Sequence, residues 1–178
     1  MKRVSRYLNF YPDFGEGVYV APGAQVIGRA EFGAHVSIWH NAVVRADVNF
    51  IKIGRNTNVQ DLCMLHVTEE NSLTLGENTS LGHSVVLHGC RVGNGCLIGM
   101  GSIILDGAEI GDHCLVAAGS LVAPGKKFPA GSLIKGRPAV VERPLSPEEI
   151  ERISNHYRSY LGYKEQYLSM EKDDGVDP

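Results

Sequence analysis

Three histidines in this chain have a spacing that suits a metal ion. His66, His83 and His88 read as His-x16-His-x4-His, and Arg45, Asn58, Gln60 and Asp61 precede them. Neutral imidazole is the commonest metal ligand. Three imidazoles with one open position form the ligand set of a hydrolytic zinc centre. The competing outcome for such residues is a scatter of polar side chains along a groove, with no ion involved. The fold decides between the two, by bringing the rings together or keeping them apart. His35, His40, His113 and His156 show no comparable pattern and are read as structural.

A six-residue period defines the elements that must place these side chains. Val92, Ile98, Ile104, Ile110, Val116, Val122, Phe128 and Ile134 recur every six residues. Small residues follow four places on, at Cys96, Ser102, Ala108, Cys114, Ser120 and Ser132. The same phase runs upstream through Val20, Val26, Phe32, Ile38 and Val44, then Ile53, Val59 and Leu65, then Leu75, Leu81 and Leu87. Such a period matches neither a helix nor an alternating strand. A short strand followed by a tight corner fits it, and the 21 glycines serve the corners. Three hexads close one triangular coil, and about six coils are expected, stacked as parallel strands about 4.8 Å apart.

Register then sorts the candidate ligands. His66 directly follows inward-pointing Leu65, and His88 directly follows Leu87. With the insertion at 68–73 looped out, one full coil separates them, so both stand on one face. Arg45, directly after Val44, falls on the same face one coil earlier, with Gln60 and Asp61 at its edge. His83 lies on the preceding hexad, on a neighbouring side of the triangle. Within one chain it points away from the pair. In a three-fold trimer it could meet that pair on the next subunit.

Composition excludes several classes of function. Seventeen Lys and Arg against 20 Asp and Glu give a net charge of −3, so no basic stripe calls for nucleic acid or an anionic membrane. No apolar run reaches a membrane span, no signal peptide is apparent, and a cytoplasmic location is expected. Cys63, Cys90, Cys96 and Cys114 lack CxxC spacing and are read as small buried residues. After Pro138 the period stops. Ser146, Pro147 and Glu149 signal a helix start, and apolar positions from Ile150 to Leu168 predict one helix of about 24 residues along the prism. The expected division is a β-helix over 1–140, a helical segment over 141–171 and a polar, frayed tail over 172–178.

The strings Val43-Val44-Arg45-Ala46-Asp47, Asn58-Val59-Gln60-Asp61, His66, Gly82-His83 and Leu87-His88-Gly89-Cys90 resemble the gamma-class carbonic anhydrases, in particular their short-loop bacterial and archaeal relatives. The resemblance covers about residues 8–168. It implies an all-β, left-handed parallel β-helix with a C-terminal α-helix, assembled as a homotrimer with metal sites shared between subunits. His66 and His88 then match the two ligands from one subunit, and His83 the ligand from its neighbour. The metal implied is Zn2+, with Fe2+ or Co2+ as alternatives, and the reaction is the reversible hydration of CO2 to bicarbonate by a metal-bound hydroxide. Arg45 matches an arginine that forms an ion pair and handles bicarbonate, with Asp47 and Asp61 as its acidic neighbours. Gln60 and Asn58 match the residues that orient the hydroxide. Tyr157 is the first match for a tyrosine reaching the site, and Tyr160 the second.

One departure stands out. The family's prototype has a long acidic loop with a proton-shuttling glutamate, whereas here the loop is only Val67–Ser72. Glu69 is the candidate shuttle, or else a solvated loop acid. Val48 also stands where the prototype has a second acid, so low turnover is expected. Two other functions remain open on the sequence. One is a hexapeptide-repeat acyltransferase or CoA-thioester hydrolase, which would need only one histidine as base. The other is a non-catalytic, metal-binding homologue.

Overall fold

The computed structural model describes residues 3–173. The chain winds as a parallel β-solenoid of about seven turns with helices at its C-terminal end. The third side of each turn belongs to one sheet, in the order 132–136, 115–116, 97–98, 80–81, 58–59, 37–38 and 19–20. The other two sides are continuous with each other through a long strand, Val43–Ile53. Its leading half pairs with Met64–His66 and its trailing half with Leu73–Leu75. The first face therefore carries 64–66, 86–88, 103–104 and 121–122. The second carries 73–75, 91–92, 109–110 and 127–128.

The inward columns are those of the six-residue period. Val44, Leu65, Leu87, Ile104 and Val122 stack behind the first face, and Ile38, Val59, Leu81, Ile98, Val116 and Ile134 behind the third; all are fully buried. Burying each such side chain contributes roughly 1.5–3 kcal/mol, so the stack of coils, rather than any local propensity, holds the prism. The four cysteines are buried, and burial pushes the Cys63 and Cys90 thiols up to about 12. That agrees with their reading as small core residues.

Alternation along the strands turns the other set outward. On the first face that set is Val43, Met64, Val86, Ile103 and Leu121, in register from coil to coil and only half-buried. The corner leading into this face turns on a left-handed residue in successive coils: Gly23, Asn41, Leu62, Ser84, Gly101 and Gly119.

Three features differ from the sequence reading. The turn count is about seven rather than about six, because the N-terminal strands Val4–Ser5 and Asp13–Phe14 pair with Gln25–Phe32 and extend the stack below Val20. The solenoid ends in an antiparallel hairpin, Ser132–Gly136 with Ala139–Pro144. The single C-terminal helix is split into α1, Pro147–Ser154, and α2, Tyr157–Asp173. The Ser146 capping box forms as expected. The break falls where side chains tie the chain to the prism: Ser154 Oγ meets His113 Nδ1 at 2.8 Å and donates to the Gly95 carbonyl, and His156 Nδ1 meets Ser80 Oγ at 3.1 Å. α2 then packs on a small cluster of Tyr19, Ala21 and Trp39 through Tyr160 and Leu168. Buried Lys164 donates to the Gly17 carbonyl at 2.8 Å. α2 takes in Lys172 and Asp173, the first residues of the expected tail; residues 174–178 lie outside the described residues. No helix among the described residues is long and apolar enough to cross a membrane.

Candidate metal centre

Coil register brings Arg45, His66 and His88 into one column. Arg45 is the Cα partner of His66, and His66 of His88, on adjacent parallel strands. The side chains meet accordingly. His66 Nδ1 lies 3.0 Å from His88 Nε2. Each outer nitrogen is held by a carboxylate: His66 Nε2 donates to Asp47 Oδ1 at 3.0 Å, and His88 Nδ1 donates to Asp106 Oδ1 at 2.7 Å. The second oxygen of Asp47 accepts from Arg45, and the Val48 N–H donates to the first at 2.9 Å.

This arrangement fits a cation. With both rings neutral and both outer N–H groups given to carboxylates, the inner nitrogens present two facing lone pairs at 3.0 Å. That contact is repulsive unless a proton or a metal lies between them. Two nitrogens on one tetrahedral zinc stand about 3.3 Å apart when each bond is about 2.0–2.1 Å, close to the separation here. Burial favours the neutral form of His66 and holds its pKa below the ordinary histidine value. Burial opposes the charge on Asp47, but hydrogen bonds from Arg45, Val48 and His66 hold its carboxyl below the usual range. A carboxylate on the far nitrogen fixes the tautomer and makes the near nitrogen a better ligand.

The remaining candidates gather at the end of the third side and the corner that leads from it into the first face. His83 Nδ1 donates to Asp61 Oδ2 at 2.8 Å, and His40 Nδ1 stands 3.4 Å from Asp61 Oδ1. Buried Gln60 donates from Nε2 to Asn58 Oδ1 at 3.1 Å, and Asn58 donates to Ser80 Oγ at 2.8 Å. Tyr160, rather than the first-matched Tyr157, is the tyrosine whose surroundings join this group. Burial first, and the Asp61 charge second, push its hydroxyl up to about 12. Tyr157 opens α2 with no hydrogen bond to the cluster among the described residues. The candidate residues thus fall into two separate groups within the chain, His66, His88, Arg45 and Asp47 in one and His83, Asp61, Gln60 and Asn58 in the other. Among the described residues, no group of three potential ligands within one chain is placed to hold a metal ion by itself.

Glu69 lies exposed on the short loop after His66. Asn49 pins that loop by donating from Nδ2 to the Thr68 and Glu69 carbonyls, both at 3.0 Å. Asn49 and Asp106 escaped the sequence reading. Asp106 carried little signal, since Leu87 pairs with Ile104 only 17 residues on, which puts Leu105 level with His88 and Asp106 one residue beyond it. Asn49 carried none, because it lies in the extra residues that interrupt the period.

Models of hexapeptide repeats match two stretches: the bacterial transferase hexapeptide (six repeats) over residues 89–124, and the hexapeptide repeat of succinyl-transferase over 72–105. The chain is 44% identical to Protein YrdA of Escherichia coli, over 91% of this chain and 92% of that one. It is 46% identical to a protein of Methanocaldococcus jannaschii named a probable carbonic anhydrase, over 84% of this chain and 94% of that one. A crystal structure from Bacillus cereus, provisionally described as an acetyltransferase, superposes with a TM-score of 0.91 at 40% identity, covering 94% of this chain and 97% of that one.

Proposed function

This chain belongs to the gamma-class carbonic anhydrase family of hexapeptide-repeat proteins, and from that premise we propose that it catalyses the reversible hydration of CO2 at a divalent cation shared between subunits of a homotrimer. The observation that carries the proposal is the His66–His88 pair, with inner nitrogens 3.0 Å apart and outer nitrogens held by Asp47 and Asp106. Zn2+ suits this imidazole set best, and Fe2+ or Co2+ would also accept it. The half-exposed aliphatic ladder on the first face and the separation of the two groups of candidate residues within one chain support the trimer.

A cation bound by His66, His88 and the partner's His83 would lower the pKa of water from 15.7 to about 7. The chain's own groups do the rest. Asp47 and Asp106 hold the two imidazole tautomers, and Asp61 holds the third ring. Gln60 has its Nε2 committed to Asn58, so its Oε1 is the atom left to accept a hydrogen bond and orient the attacking oxygen. Arg45, fixed by Asp47, places a positive charge where the bicarbonate anion forms. The Glu69 carboxylate, on the loop pinned by Asn49, accepts the released proton and passes it to buffer.

Stopped-flow CO2 hydration on anaerobically purified protein, with metal content measured on the same sample, tests this. Buffer-dependent turnover above the uncatalysed rate is the expected result. Full metal occupancy with no turnover would overturn it. The transferase-type repeat matches favour a second reading, an acyltransferase or thioester hydrolase; saturable CoA binding by metal-free protein would be its mark.

A further inference from the structure

Six successive coils turn into the first face on a left-handed residue. Five are glycine, asparagine or serine, and the sixth is Leu62, with φ 62°. The conformation crowds the leucine Cβ against the backbone, which glycine avoids and asparagine offsets by local hydrogen bonding. Packing within the chain covers less than half of the side chain, since Leu62 is 61% exposed. Exposure of a lone leucine is ordinary, but a left-handed, exposed leucine beside a candidate ligand points to a contact outside the chain. Its neighbours narrow the choice. Asp61, directly before it, holds His83 on the next coil, and Met100, in the same corner column one coil further, is 58% exposed. This corner therefore sets the candidate ligand His83 between two exposed apolar side chains. The edge that holds His66 and His88 adjoins the half-exposed ladder of Val43, Met64, Val86, Ile103 and Leu121.

We propose that Leu62 is the apolar contact that seats this corner on the first face of a second copy of this chain, excluding water from the junction of His83 with that copy's His66 and His88. A second copy is the occupant because its first face offers both the aliphatic ladder and the half of a ligand set that His83 completes. The inference rests on the shared-site reading above.

Sedimentation of the zinc-loaded and chelator-treated full chain tests it, with Leu62→Gly, Leu62→Met and Ser84→Gly alongside the parent. Glycine suits the left-handed corner, so Leu62→Gly folds, which far-UV circular dichroism checks. It should dissociate at a concentration at least about tenfold higher than the parent, a roughly hundredfold change in the trimer's dissociation constant, or about 0.9 kcal/mol for each of three junctions. Leu62→Met should associate as the parent does. Ser84→Gly relaxes the same strain one coil away without removing apolar surface, and should also leave association unchanged. Association of Leu62→Gly as tight as the parent's, in a parent that is a zinc-holding oligomer, would overturn the role of Leu62 alone. A parent that stays monomeric with and without zinc would overturn the shared site and this inference together.

Discussion

Asp106 Oδ1 accepts from His88 Nδ1 at 2.7 Å, one coil beyond the ring it orients. The bond leaves His88 only Nε2 to offer to a cation, opposite Nδ1 of His66. Replacing Asp106 by alanine keeps both imidazoles but frees one to rotate. Loss of such a supporting carboxylate typically weakens metal affinity about 10–100-fold. Zinc competition against a chromophoric chelator should show that loss with an unchanged circular dichroism spectrum. Unchanged affinity would place the cation elsewhere.

A shared site predicts complementation between defective subunits. His83→Ala and His66→Ala each lose one ligand from every site, so each alone should lose metal but keep its fold. In a closed ring, a mixed trimer restores one of its three junctions, where an intact His83 meets an intact His66–His88 pair. Random reassembly of equal amounts should therefore restore about a quarter of the sites, read as bound zinc and as hydration activity. No recovery after verified subunit exchange would exclude the shared arrangement.

Much of this was legible in the sequence because the six-residue period fixes register. Once Leu65 and Leu87 are assigned inward one coil apart, the stacking of Arg45, His66 and His88 follows by counting, and their Cα pairing agrees with it. Features outside the period were not legible. Asn49 sits in the excess residues of the long strand Val43–Ile53, where spacing carries no information. The split between α1 and α2 depends on tertiary bonds from Ser154 and His156 to distant coils, which override a continuous helical pattern. Tyr157 and Tyr160 share one helical turn, and only the packing of Tyr160 on Trp39 and His156 distinguishes them.

The inward columns make a sharper prediction about stability. Ile104 is fully buried between Leu87 and Val122, with no polar group assigned to pair with a charge there. Ile104→Asp should cost about 4 kcal/mol or more, through lost burial and an unpaired charge or its neutralisation. Urea denaturation should show unfolding or loss of a cooperative transition. A normal midpoint would contradict the inward assignment.

The C-terminal cap should respond to acid. Glu149 accepts from Arg143 at 2.7 and 2.8 Å and from the Ser146 N–H at 2.9 Å, and these bonds hold its carboxyl down at about 2. An unfolded glutamate titrates near 4.3. A lowered folded value means the stabilisation is complete above about pH 4.3 and is lost as pH falls through about 2. Hydrogen exchange of residues 147–154 should therefore quicken between about pH 4 and pH 2, ahead of exchange in the coil strands. Glu149→Gln, which cannot form the ion pair, should show fast exchange in α1 already at pH 5 and little further change on acidification. A wild-type α1 that exchanges at the same rate at pH 5 and pH 2, after correction for intrinsic chemistry, would show that the Arg143–Glu149–Ser146 cluster does not hold the helix to the prism.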